Sequence, residues 1–180
     1  AALTWPRPVN VYAATKLAQE HVLEAWCGSF GVPLSILRLQ NVYGPGQAVG
    51  NSYTGVLTFF ARQLVTGEQL DVYEDGRIVR DFVFVDDVIN ALIKAFEQPP
   101  AGTRRLDIGR GAATTLHQVA ITMSAIAGGR PPVVSGRYRP GDVRAASADI
   151  AAARAQLGWA PQIELDAALE ALLAWVRNEL

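Results

Sequence analysis

Between Gly31 and Gly46 the chain reads Gly-Val-Pro-Leu-Ser-Ile-Leu-Arg-Leu-Gln-Asn-Val-Tyr-Gly-Pro-Gly. Leu34 to Leu39 is an almost unbroken apolar run of strand length, entered through a tight turn and left through a loop of turn formers that extends to about Tyr53. A short run that is apolar on both faces suits a strand buried in a parallel sheet. Parallel neighbours need long crossover connections, usually helices, so this stretch directs the chain toward an α/β fold.

The flanking sequence agrees. A helix is expected from about Asn10 to Phe30, with Asn10 as N-cap, an apolar stripe at Leu23, Trp26 and Phe30, and Gly31 and Pro33 ending it. Further helices are expected at Gly55–Thr66, from a cap at Asp86 or Asp87 to about Glu97, at Thr115–Ala127 with Leu116, Val119, Ile121, Met123 and Ile126 mostly in the core, at Asp149–Leu157 and at Leu165–Leu180. Strands are expected at Leu70–Tyr73, Val79–Val85, Leu106–Ile108 and Val133–Val134, with a turn at Glu74-Asp75-Gly76. The segment Gly136–Ala146 is basic and irregular. No repeat or long linker divides the 180 residues, a length that suits one domain.

Composition narrows the function. A net charge of −1 gives no electrostatic footprint for nucleic acid. No apolar run is long enough to span a bilayer and no basic-then-apolar leader opens the chain, so a soluble, cytoplasmic protein is the default expectation. The single cysteine, Cys27, lies beside Trp26 and reads as a small buried hydrophobe, and no Cys/His set has metal-ligand spacing. His21 and His117 read as exposed helix residues. Arginine outnumbers lysine fourteen to two, which makes Lys16 one of only two lysines.

Tyr12 and Lys16 are four residues apart at the head of the first helix, so they share a face. A free tyrosine, with a pKa near 10, is a poor base at neutral pH. A fixed positive charge within about 4–6 Å favours the phenolate and makes a usable proton shuttle. Spacing alone is equally compatible with an amphipathic helix carrying a solvated lysine. Asn41 follows the carboxyl end of the Leu34–Leu39 strand, where open α/β sheets bind ligands.

Six stretches, in order, carry a resemblance: Tyr12–Lys16; Arg38–Gln47; Val72-Tyr73-Glu74-Asp75-Gly76; Arg80–Val88; Arg139-Pro140-Gly141-Asp142; and Leu157-Gly158-Trp159-Ala160-Pro161. Together they resemble the extended short-chain dehydrogenase/reductase family, specifically its nucleotide-sugar epimerases and dehydratases. The resemblance implies a Rossmann-type α/β fold with a small substrate-binding lobe, NAD as cofactor, a UDP- or dTDP-linked sugar as substrate, and a homodimer built on the tyrosine-bearing helix.

The resemblance makes Tyr12 the catalytic acid/base and Lys16 its activator and ribose contact, with Leu39 and Gln40 beside the nicotinamide. Gln40 departs from the family's usual phenylalanine. Asn41, Arg80 and Arg139 would contact the substrate phosphates, Asp142 the ribose hydroxyls, and Leu70, Val72 and Tyr73 the nucleobase. The family's G-x-x-G-x-x-G turn and its catalytic Ser or Thr have no counterpart in the 180 residues, since Gly44-Pro45-Gly46 follows a later strand. The expectation is therefore the C-terminal portion of an epimerase-type chain, inactive by itself. A 4,6-dehydratase or decarboxylase of the same family, or a non-catalytic sugar-nucleotide-binding fragment, are the alternatives.

Overall fold

The computed structural model describes residues 6–50, 55–138 and 143–180. The chain begins with helix α1 (Val11–Phe30), and the Asn10 side chain caps it by accepting from the Ala13 amide at 2.8 Å. Strand β1 (Leu34–Leu39) follows as the sequence predicts, and it pairs in parallel with β6 (Thr103–Ile108), Leu34 opposite Thr103 and Leu39 opposite Ile108. Past Gln40 the chain changes partner. Strand β2 (Asn41–Tyr43) runs parallel to β5 (Phe82–Phe84).

The smaller strands build the second lobe. Strand β3 (Asp71–Val72) pairs in parallel with β8 (Val133–Val134), and β4 (Val79–Arg80) pairs antiparallel with β7 (Thr114–Thr115). Helices α2 (Val56–Val65), α4 (Leu116–Ala127) and α6 (Leu165–Glu179) pack together around them. Their core includes Leu57, Phe60, Met123, Leu169, Leu172 and Leu173 beside Tyr43, Phe82 and Phe84. Each fully buried leucine contributes about 1.5–3 kcal/mol relative to exposure. A second core joins α3 (Val85–Glu97) and α5 (Ala151–Leu157) to β5 and β6 through Val83, Val88, Leu106, Ile108, Leu157 and Trp159.

Two buried aspartates lock these cores to the loops. Asp81, fully buried, accepts the backbone amides of Arg110 at 2.6 Å, Gly111 at 2.9 Å and Ala148 at 3.1 Å. It splits the expected Val79–Val85 strand into β4 and β5, because its side chain turns away to collect donors from distant loops. Gly109 makes room for this, since a Cβ there would meet Asp81 Oδ2 at 2.6 Å. Asp87 accepts from the Gln162 and Ile163 amides at 2.9 and 3.2 Å, while its carbonyl accepts from Trp159 Nε1 at 3.0 Å. The expected cap at Asp86 or Asp87 is therefore corrected. The N-cap of α3 is Phe84, without a side-chain bond, and Asp87 faces inward.

Smaller differences have equally local causes. On α4, Ile121 is exposed, whereas Leu116, Val119 and Met123 are buried. His21 is exposed as expected, but His117 is half-buried against Gly76, whose carbonyl accepts the His117 amide at 3.1 Å. Cys27 is the buried residue of α1, and Trp26 and Phe30 stack with centroids 5.0 Å apart on its exposed side. Helix α1 joins neither apolar core. Arg38 of β1 grips Glu20 through two hydrogen bonds, and Arg105 of β6 pairs with Glu24. No helix among the described residues is long and apolar enough to cross a membrane.

Candidate active site

The first half of α1 and the whole length of β1 line a cavity of about 760 Å³, with Tyr12, Lys16, Glu20, Arg38 and Leu39 among its walls. Tyr12 is 71% exposed, so its phenol is open to a reacting group. The Lys16 ammonium lies 5.7 Å from the Tyr12 ring centroid and 3.4 Å from Gln19 Oε1. Thr15 helps fix the turn by donating its hydroxyl to the Tyr12 carbonyl at 2.8 Å. Helical spacing has thus set the Lys16 ammonium over the Tyr12 ring.

Leu39 ends β1 with its side chain partly exposed toward this cavity, and the Gln40 amide donates to the Ile108 carbonyl at 2.8 Å. Asn41, half-buried, donates its backbone amide to the Asp81 carbonyl at 3.0 Å. That bond ties the strand end carrying Asn41 to the residue after Arg80. The Arg80 guanidinium, half-buried on β4, donates through Nη1 to the carbonyls of Val79 at 2.8 Å and Val143 at 2.6 Å. Its fork is therefore oriented by backbone, and Asp81 spends its carboxylate on amides instead.

The residues expected along the nucleobase divide. Tyr73 is half-buried at the end of β3, but Leu70 and Val72 are fully buried in the small-lobe core. Their carbonyls accept from the Val133 and Ser135 amides at 2.9 and 3.0 Å. The side chains of Leu70 and Val72 are therefore core packing. The period-two spacing of the pair, which puts both on one face of the strand, was the signal for this. Arg139 and Asp142 lie outside the described residues. On either side of them, Arg137 pairs with Asp71 at 3.1 Å, and Arg144 reaches Glu74 at 2.6 Å and Asp75 at 2.5 Å. The hydrogen bond from Arg144 holds the Asp75 carboxyl at about 2. Tyr43, by contrast, is pushed well above the usual phenol range by burial, which leaves it a packing residue.

Sequence reasoning missed Glu20 and Arg38 as part of this cavity. The available signal was a charge inside an otherwise apolar strand, facing a glutamate two turns beyond Tyr12.

The geometry can be set beside known proteins. A family model described as the NAD dependent epimerase/dehydratase family matches residues 2–109. Over 177 residues, 98% of the chain, it is 47% identical to a dTDP-L-rhamnose 4-epimerase of Burkholderia thailandensis, of which it covers 49%. A UDP-glucose 4-epimerase of Thermotoga maritima, solved with UDP-glucose, superposes with a TM-score of 0.90 at 33% identity, over 97% of this chain and 55% of that one. The UDP-glucose 4-epimerase of Thermus thermophilus, solved in complex with NAD, gives 0.87 at 31% identity, over 100% of this chain and 58% of that one. The chain thus spans about half the length of the relatives it matches. On the family match and this identity, the chain belongs to the NAD dependent epimerase/dehydratase family.

Proposed function

We propose that these residues form the tyrosine–lysine and nucleotide-sugar half of an NAD-dependent nucleotide-sugar 4-epimerase, as the C-terminal portion of its chain. The observation that carries the reading is the Lys16 ammonium 5.7 Å from the ring centroid of the exposed Tyr12, at a cavity walled by α1 and β1. Tyr12 takes the proton of the sugar 4-hydroxyl as hydride leaves C4, giving a 4-keto sugar. On the return step, with the sugar turned over, the Tyr12 phenol would give its proton back to O4. Lys16 holds positive charge beside the phenol throughout. NAD, when bound, supplies the hydride acceptor and then the donor.

The residues suit one end of that cofactor. Lys16, Tyr12, Leu39 and Gln40 offer polar and apolar groups for a nicotinamide riboside. The described strand-to-helix junctions do not suit a pyrophosphate: β5 passes directly into α3, whose first turn holds Asp86 and Asp87, and β7 passes directly into α4. A glycine-rich turn elsewhere in a longer chain fits the remainder. Asn41 and Arg80 serve the substrate diphosphate, with Arg139, while Tyr73 and Asp142 serve the nucleoside. Leu23, Trp26 and Phe30, exposed on α1, support a homodimer, and a cytoplasmic location is part of the same reading.

The test is product analysis. A chain extended to the full length of its relatives is incubated with NAD and, separately, UDP-glucose and dTDP-L-rhamnose. Formation of the C4 epimer of either sugar supports the reading. Loss of water from UDP-glucose would make the chain a 4,6-dehydratase, and no turnover of either nucleotide sugar would leave it a binding fragment.

A further inference from the structure

Lys16 and Glu20 are four residues apart on α1, the spacing at which opposite charges attract one another along a helix. A lysine turned to Glu20 would be turned away from Tyr12. The structure avoids this. Both carboxylate oxygens of Glu20 are taken by the Arg38 fork, Nε to Oε1 at 2.9 Å and Nη2 to Oε2 at 2.7 Å, and the Lys16 ammonium instead stands near Gln19 and the Tyr12 ring. The pair is partly sheltered, with 16% of the Glu20 side chain exposed. A bidentate guanidinium–carboxylate contact is among the stronger ion pairs, and it outcompetes a single ammonium.

We propose that Arg38 is a positioning residue that sequesters Glu20, and so keeps the Lys16 charge for the Tyr12 phenol. The proposal rests on the epimerase reading for its catalytic meaning, but the ionic arrangement stands by itself. The other charged groups in reach are Arg7 at the cavity, His21 and Glu24 on α1, and Arg105 and Asp107 on β6, with Asp149 acting on Asp107. Glu24 is paired with Arg105, and Asp107 lies opposite Arg38 in the strand register, so Glu20 is the anion at helical spacing from Lys16. The hydrogen bond from Arg38 also holds the Glu20 carboxyl below its usual value, which keeps it ionised and paired.

With only two lysines, Lys16 can be read directly on the 180-residue chain. Trace labelling with an amine-reactive reagent, followed by mass spectrometry, gives the ratio of Lys16 to Lys94 modification. Arg38→Gln frees Glu20 to hold Lys16, and the ratio should fall about 1.5-fold or more, the effect of a helical i,i+4 ion pair. Adding Glu20→Gln should return it to the wild-type ratio. No fall in the single variant, or a fall that persists in the double variant, overturns the proposal. If the single variant does not fold, the double variant decides alone: an unchanged ratio supports sequestration, and any departure from it contradicts it. In the full-length enzyme, Arg38→Gln should lower kcat at unchanged KM, with recovery on adding Glu20→Gln. Retained turnover in Tyr12→Phe would refute Tyr12 as the acid/base while leaving the labelling result intact.

Discussion

Asp81→Asn is the sharpest probe of how the site is held. The substitution keeps shape and removes charge. In the native protein Oδ1 accepts the Arg110 amide at 2.6 Å, and Oδ2 accepts those of Gly111 and Ala148 at 2.9 and 3.1 Å, with no solvent exposure. An asparagine oriented to serve Gly111 and Ala148 turns its NH2 toward the Arg110 N–H, so one buried donor loses its partner and two bonds lose their charge. A hydrogen bond to a charged group is worth about 1.5–3 kcal/mol, and an orphaned buried donor costs about 1–3 kcal/mol. Relief of the buried charge offsets part of this. The net expectation is a loss of about 2–4 kcal/mol, measured by urea unfolding at neutral pH, or a Tm lowered by roughly 5–15 °C for a chain of this length. Because the Asp81 carbonyl also fixes Asn41, nucleotide-sugar affinity should fall with stability. A loss below about 1 kcal/mol, on the same scale as an ordinary exposed hydrogen bond, would refute the view that this carboxylate braces the loops.

Three further outcomes are expected. Arg80→Ala in the full-length enzyme should weaken nucleotide-sugar binding by about 1.5–3 kcal/mol, roughly ten- to hundredfold by calorimetry, whereas equal affinity would return Arg80 to bracing Val143. Glu20 and Asp75 both have carboxyls lowered by arginine partners, so the stabilisation from each is present above the ordinary carboxylate range and is lost as pH falls through the lowered value, about 2 for Asp75. Arg144→Gln should therefore flatten the acid limb of a stability–pH profile between about pH 4.5 and 2, and an unaltered limb would count against the Arg144 pairing. Trp159→Phe removes the Nε1 donor to the Asp87 carbonyl and should cost about 0.5–1.5 kcal/mol beyond its packing loss, visible as a lower urea midpoint at unchanged m-value.

Local chemistry made the first third of the fold legible. Asn10 caps α1, Gly31 in the left-handed region closes it, and β1 has the bounds its apolar run suggests. These features depend on neighbours in sequence. Strands β2 and β7 exist only through pairing with segments tens of residues away, and no local pattern marks them. The break at Asp81 and the inward turn of Asp87 have the same origin. Both carboxylates look like ordinary strand and cap residues until remote amides arrive to meet them. Within the site, helical spacing brings Tyr12 and Lys16 to one face, and the alternation of Leu70 and Val72 turns both side chains into the core. Arg38 was visible only as part of a matching motif, and its grip on Glu20 required the packing of α1 on β1.

The central claim is that Tyr12 is the acid/base of a nucleotide-sugar epimerase. Tyr12→Phe in the full-length enzyme tests it most directly, with turnover and nucleotide-sugar affinity measured on the same preparation. Turnover should be abolished while affinity stays within about twofold, since the phenol acts on a proton and Asn41 and Arg80 carry the binding. Turnover at the wild-type rate would contradict it.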